Sequence, residues 1–191
     1  MDGVGTHEVI IDSPEHFLEI PDLPAEQVKR IIDTYIARLR VLMQDPRLRY
    51  VLLFKNHGKE AGASLLHPHT QIIGVPIVPQ EVRTSLDLAR AYYERTRRCL
   101  FFDVMLAELR HREHIVEQSE AHDFTSLEDA QRWELARTLK RTLKRLTLLL
   151  GDIPYDFVSE TTPNPTPRPE SPSTGRRCDT TTTGASRACR A

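Results

Sequence analysis

From Ser159 to Ala191 the chain contains no Val, Ile, Leu, Met or aromatic residue, so whatever folds must be assembled from the residues before that point. A segment this poor in apolar side chains cannot bury enough surface to offset the ordering of its backbone. The expectation is a disordered Thr/Pro/Arg-rich tail over residues 159–191. The rest of the chain carries the apolar residues, and 39% hydrophobic content in 191 residues is enough for an ordinary packed core. The formal net charge of -1 supplies no global field that would draw nucleic acid or anionic lipid. No apolar run approaches the roughly 20 residues of a membrane span, and nothing at the N-terminus reads as a basic-then-apolar signal, so no membrane partner and a cytoplasmic location are expected. Cys99, Cys178 and Cys189 include no Cys-x-x-Cys pair. They encode neither a disulfide framework nor a four-ligand zinc ribbon.

The hydrophobic periodicity predicts an order of elements. His7-Glu8-Val9-Ile10-Ile11-Asp12 reads as a strand stopped by Ser13-Pro14. Val28, Ile31, Ile32, Tyr35, Ile36, Leu39 and Leu42 or Met43 recur at three- and four-residue spacing, which predicts an amphipathic helix from Pro24 to about Gln44. Tyr50–Phe54 suits a central strand, and a second strand is expected over His69–Val75, closed by Pro76 and Pro79. A helix from about Gln80 to Arg97 follows, with Val82, Leu86, Ala89 and Tyr93 on one face. The region Cys99–His122 gives no clear period, although His114–Ser119 has strand character. Thr125-Ser126-Leu127-Glu128 resembles a capping box ahead of an apolar stripe of Leu135, Leu139, Leu143, Leu146 and Leu150, which ends at Gly151. The opposite face of that helix carries Arg132, Arg137, Lys140, Arg141, Lys144 and Arg145; a charged face on an amphipathic helix usually reads as solvated surface. Pro154–Val158 reads as a last strand.

The residues that carry chemistry lie in Gly62-Ala63-Ser64-Leu65-Leu66-His67-Pro68-His69-Thr70-Gln71. Alternation along a strand would put His67, His69 and Gln71 in one row on one side of a sheet. A neutral imidazole is a competent nucleophile at phosphorus and a good leaving group once phosphorylated, and His69 is at the centre of the row. Gln71 can donate an amide hydrogen bond to a phosphoryl oxygen, while Ser64 and the backbone around Gly62 and Ala63 could hold the remaining oxygens. Taken alone, two histidines two apart are more often surface residues or an incidental metal pair than a nucleophile.

The surroundings are more specific. Phe54-Lys55-Asn56-His57-Gly58, then Gly62-Ala63-Ser64, then His67-Pro68-His69-Thr70-Gln71 resembles the active-site stretch of galactose-1-phosphate uridylyltransferase, a branch of the histidine-triad superfamily. Gly5-Thr6-His7-Glu8-Val9-Ile10-Ile11 and Ser13-Pro14-Glu15-His16 resemble that family's preceding strand and turn. The resemblance implies an α+β fold, a histidine-triad-like antiparallel sheet with packed helices. One near-complete repeat would span residues 1–98, and a second, incomplete repeat would span 99–158. It implies transfer of UMP between UDP-glucose and galactose 1-phosphate through a uridylyl-histidine at His69, with Gln71 on the transferred phosphoryl group and Asn56, Gly62, Ala63 and Ser64 near the nucleotide phosphates. A related nucleotide phosphorylase, or a catalytically impaired nucleotide-binding remnant, would share these residues. It further implies His16 and His67 as two ligands of a structural zinc, the other two family ligands being a Cys-x-x-Cys pair upstream of the first strand that this sequence does not contain. A homodimer is also implied.

Overall fold

The computed structural model describes residues 3–111 and 124–160. Its elements are β1 (Thr6–Ile11), α1 (Ala25–Met43), β2 (Tyr50–His57), β3 (His69–Val75), α2 (Gln80–Thr96), α3 (Leu100–His111), α4 (Asp129–Leu150) and β4 (Tyr155–Glu160). The four strands form one antiparallel sheet in the order β1-β3-β2-β4. The fold is therefore α+β, as the sequence implied.

The apolar stripe of α1 covers one face of this sheet. Val28, Ile31, Ile32, Tyr35, Ile36, Leu39 and Leu42 are all buried. They share a core with Val51 and Leu53 of β2 and Ile72 of β3, residues that alternate onto the same face of the pleat. The 22-residue helix α4 packs against α1 and closes this layer through Ala136 and Leu143. Lys29, which reaches Asp129 Oδ1 at 2.5 Å, and Arg132, which reaches Asp33 Oδ1 at 3.2 Å, tie the two helices at one end. The other face of the sheet carries Val9, Ile11 and Val158, each about half exposed.

Several expectations shift. The capping box lies three residues later than the sequence pattern placed it: Glu128 accepts from the backbone of Gln131, whose side chain returns the bond, and Phe124–Ser126 instead forms a single 3-10 turn. The stripe of α4 stops short of Leu150, which is 62% exposed because the helix outruns α1. Residues 100–111 form α3, whose apolar residues fall around the helix without building a stripe; none of them is buried. Ser159 and Glu160 extend β4 by pairing with Leu53 and Leu52, so backbone hydrogen bonding carries the strand past the point where apolar residues end. The strand expected over His114–Ser119 and the tail beyond Glu160 lie outside the described residues.

One core residue is a cation. Continuing the alternation Val51, Leu53 puts Lys55 on the α1 side of β2, where it is 1% exposed. Its ammonium contacts Asp12 Oδ2 at 2.9 Å, Glu19 Oε2 at 3.1 Å and the carbonyl of His69 at 3.3 Å. Asp12, fully buried, also accepts from Thr70 Oγ1 at 3.0 Å and from the Tyr35 hydroxyl at 3.1 Å. A buried charge persists only when paired and hydrogen-bonded; Lys55 has hydrogen bonds to Asp12 and the His69 carbonyl and an ion pair with Glu19.

Burial, and then the nearby Asp12 carboxylate, hold the Tyr35 hydroxyl well above the usual tyrosine range. A tyrosine whose folded pKa exceeds its unfolded value binds more protons when folded, so its contribution makes stability fall as pH rises through the unfolded pKa of about 10. Tyr35→Phe is expected to cost about 1 kcal/mol at neutral pH while reducing the decline above pH 10. Urea denaturation across that range checks it; parallel curves for the two proteins would contradict the assignment.

Candidate functional site

The site stands at the end of the sheet where β1 stops, β2 leaves and β3 begins. β1 pairs Ile11 with His69 and Val9 with Gln71, and β2 pairs Phe54 with Gln71. Because side chains alternate, His69 and Gln71 share the face turned away from α1, and continuing the register brings Asn56 beside His69. The predicted row holds for those two residues of β3. It does not hold for His67, since the strand begins at His69. His67 turns instead toward the Ser13-Pro14 corner, where its Nε2 donates to the carbonyl of Ser13 at 2.7 Å.

The tautomer of His69 is set by the backbone. Its Nδ1 lies 2.8 Å from the carbonyl oxygen of His67. A carbonyl oxygen only accepts, so Nδ1 carries a proton, and in the neutral ring Nε2 then keeps its lone pair. His69 is 5% exposed. The backbone on both sides is fixed: Asp12 N donates to the carbonyl of Pro68 at 3.1 Å, and Lys55 Nζ holds that of His69.

Between β2 and β3 the chain makes a tight excursion. Gly58 and Gly62 have φ of +82° and +90°, conformations that side-chain-bearing residues rarely adopt. Gly62 N donates to Lys59 O at 3.0 Å and Ala63 N to Gly58 O at 3.1 Å, while the Asn56 amide donates to the carbonyl of Ala61. Asn56 thus spends one donor on clamping the loop, a use its sequence position did not reveal. A Cβ on Gly62 would come within 2.9 Å of the Asn56 amide nitrogen. Ser64 lies exposed on the segment leading back to His69.

His16 and His67 are brought together, with their Nδ1 atoms 3.0 Å apart. Two nitrogens at about 2.0–2.1 Å from one tetrahedral zinc would be separated by roughly 3.4 Å, so the donor pair fits half of such a site. The bond from His67 Nε2 to Ser13 leaves its Nδ1 as the nitrogen that faces His16. Among the described residues no group of three or more His, Cys, Asp or Glu is placed to hold a metal ion.

Sequence reasoning missed three participants. Lys55 was read only as part of a loop motif, although its parity with Val51 and Leu53 marks it as inward. His57 bridges Glu19 Oε1 at 3.0 Å and Asp152 Oδ1 at 2.7 Å and stacks on Tyr155, contacts that link positions too distant in sequence to be paired beforehand. His7 reaches Gln71 across the exposed sheet face. A separate concavity of about 410 Å³ lies between Ala25 and the basic side of α4, lined by Arg137, Lys140, Arg141, Lys144 and Arg145. His69 is not among its lining residues, and two of its cations are already engaged by the carbonyl of Pro21 and the carboxylate of Asp22.

Residues 2–79 match the family model described as galactose-1-phosphate uridyl transferase, N-terminal domain. ADP-glucose phosphorylase of Arabidopsis thaliana is 28% identical over 184 residues, covering 84% of this chain and 51% of that protein. Galactose-1-phosphate uridylyltransferase of Thermotoga maritima is 34% identical over 104 residues, covering 54% of this chain and 33% of the relative. The crystal structure of the Arabidopsis thaliana ADP-glucose phosphorylase with bound ADP-glucose superposes with a TM-score of 0.73 at 27% identity, over 83% of this chain and 57% of that one. The chain spans about half the length, or less, of these curated relatives. Sheet, loop and histidine strand are similar to those of the galactose-1-phosphate uridylyltransferase N-terminal domain, and the similarity to that family model runs over residues 2–79.

Gly62→Ala is expected to destabilise the chain by about 1–3 kcal/mol, since it forces a side-chain-bearing residue into positive φ against Asn56. Chemical denaturation reads the loss. Limited proteolysis should show cleavage in residues 58–66, and a protein as stable and as resistant as the parent would refute this account of the loop.

Proposed function

We propose that this site transfers a nucleotidyl group between a nucleotide sugar and an acceptor phosphate through a nucleotidyl-histidine at His69. The observation that carries the reading is the bond from His69 Nδ1 to the carbonyl of His67, which in the neutral ring puts the lone pair on Nε2. In the first step Nε2 attacks the α-phosphorus. The N–P bond forms as the bond to the β-phosphate oxygen breaks, and the sugar 1-phosphate leaves with that electron pair. The positive charge that develops on the ring strengthens the Nδ1–H bond to the carbonyl. In the second step an oxygen of the acceptor phosphate attacks phosphorus, and Nε2 departs with its pair. The proton on Nδ1 never moves, so neither step needs a separate general base.

The remaining expected residues take supporting roles. Gln71 donates to a non-bridging phosphoryl oxygen, and exposed Ser64, the backbone of Gly62 and Ala63, and the free donor of Asn56 surround the phosphates. His16 and His67 would hold one side of a structural zinc; bound there, the ion would fix the approach to the histidine strand. In the narrower form of this reading the donor is UDP-glucose and the acceptor galactose 1-phosphate. A second form, with a phosphorylase's inorganic phosphate as acceptor and ADP-glucose as donor, draws support from the relative that aligns with 84% of this chain. A homodimer would accord with the family resemblance.

Incubation with UDP-glucose or ADP-glucose labelled in the α-phosphate is expected to leave an acid-labile label on the protein that His69→Ala abolishes, with Gln71→Ala slowing its formation about 10²-fold or more. Discharge by galactose 1-phosphate or by inorganic phosphate separates the two forms. Binding of both sugars without label would leave only a non-catalytic nucleotide-binding domain. Zinc added to metal-free protein should raise Tm, and His16→Ala/His67→Ala should remove that rise; an equal rise in both proteins would exclude the pair as ligands.

A further inference from the structure

An amide side chain such as Gln71 has two nearly isosteric orientations, and they are opposite in electrostatic sense: one offers N–H donors to the space beside His69, the other a carbonyl oxygen that would repel a phosphoryl group. Something must choose between them. On β1, His7 pairs with Ile73 and Val9 with Gln71, so His7 is the diagonal neighbour of Gln71 on the exposed face, within reach of a long side chain. Its Nε2 lies 2.8 Å from Gln71 Oε1. An amide oxygen can only accept, so His7 donates from Nε2. That bond occupies the carbonyl and leaves the amide nitrogen directed away from His7.

We propose that His7 is a positioning residue for Gln71: it fixes the amide so that its two N–H donors face the phosphoryl group bound at His69. The proposal deepens the transfer reading, resting on it for the identity of the group that Gln71 meets. It also specifies the tautomer of His7. A ring protonated only on Nδ1 would present a lone pair to Gln71 and favour the reversed amide; a ring carrying a proton on Nε2 keeps it in place. Among the described residues the Gln71 amide nitrogen has no other acceptor, so it stands ready for a ligand oxygen.

A purely structural role for His7 is distinguishable because the residue is exposed and lies on an edge strand. Removing it opens no cavity and strands no buried polar group. The test uses the full chain as wild type, His7→Phe, His7→Gln, Gln71→Ala and His7→Phe/Gln71→Ala. NMR of the Gln71 side-chain amide is recorded without ligand, and the affinity for UDP-glucose and ADP-glucose is measured by calorimetry. In His7→Phe the Gln71 amide signals should shift while Tm is unchanged, and affinity should weaken about tenfold. His7→Gln, which can donate across the same gap, should restore most of it. The double variant should bind no more weakly than Gln71→Ala, because His7 acts only through that amide. Unmoved amide signals in His7→Phe, or losses that add in the double variant, would overturn the proposal. If the wild type binds neither nucleotide sugar the transfer reading falls by itself, and the amide signals still decide whether His7 governs Gln71.

Discussion

An ammonium group with almost no access to water joins three strands at one end of the sheet. Lys55 of β2 reaches Asp12 just past β1 and the carbonyl of His69 at the start of β3, and Asp12 is in turn bonded to Tyr35 of α1 and Thr70 of β3. Neither charge could stay inside without the other, since an unpaired ion of this kind costs about 3–5 kcal/mol. The pair therefore does more than add stability. It permits very little freedom to the backbone on which the histidine strand is mounted.

The proposed chemistry draws on that rigidity. A nucleophilic imidazole must be held in one tautomer and one orientation, and both are secured by backbone groups rather than by a mobile side chain. His69 Nδ1 is bound to the carbonyl of His67, and His67 is itself tethered through Nε2 to Ser13. The corner at Asp12 and Ser13 thus serves both histidines, one through the buried ion pair and one through a direct hydrogen bond. Glu19 links the same network outward to His57 and Asp152. The glycine loop completes the arrangement, since only at Gly58 and Gly62 can the chain reverse tightly enough to return to His69.

Much of this was legible in the sequence. The stripe of α1 and the bounds of β3 were readable because local periodicity and proline stops determine them, and His69 and Gln71 could be placed on one face from parity alone. What was not legible depends on pairings between distant positions. Nothing local distinguishes Lys55 from a solvent-exposed motif lysine until Asp12 is brought beside it. His67 left the expected row because the strand begins two residues later, at a point set by pairing with β1. Helix α3 lacked a stripe because it has no buried face among the described residues, and periodicity reports only burial.

The central claim is that His69 presents an unprotonated Nε2 while Nδ1 holds its proton against the carbonyl of His67. Long-range proton–nitrogen correlation NMR of the His69 ring at neutral pH reads this directly. The account predicts a protonated, pyrrole-like Nδ1 and a pyridine-like Nε2. A ring protonated on Nε2 would have its lone pair turned toward the backbone, and no attack on phosphorus could start from it.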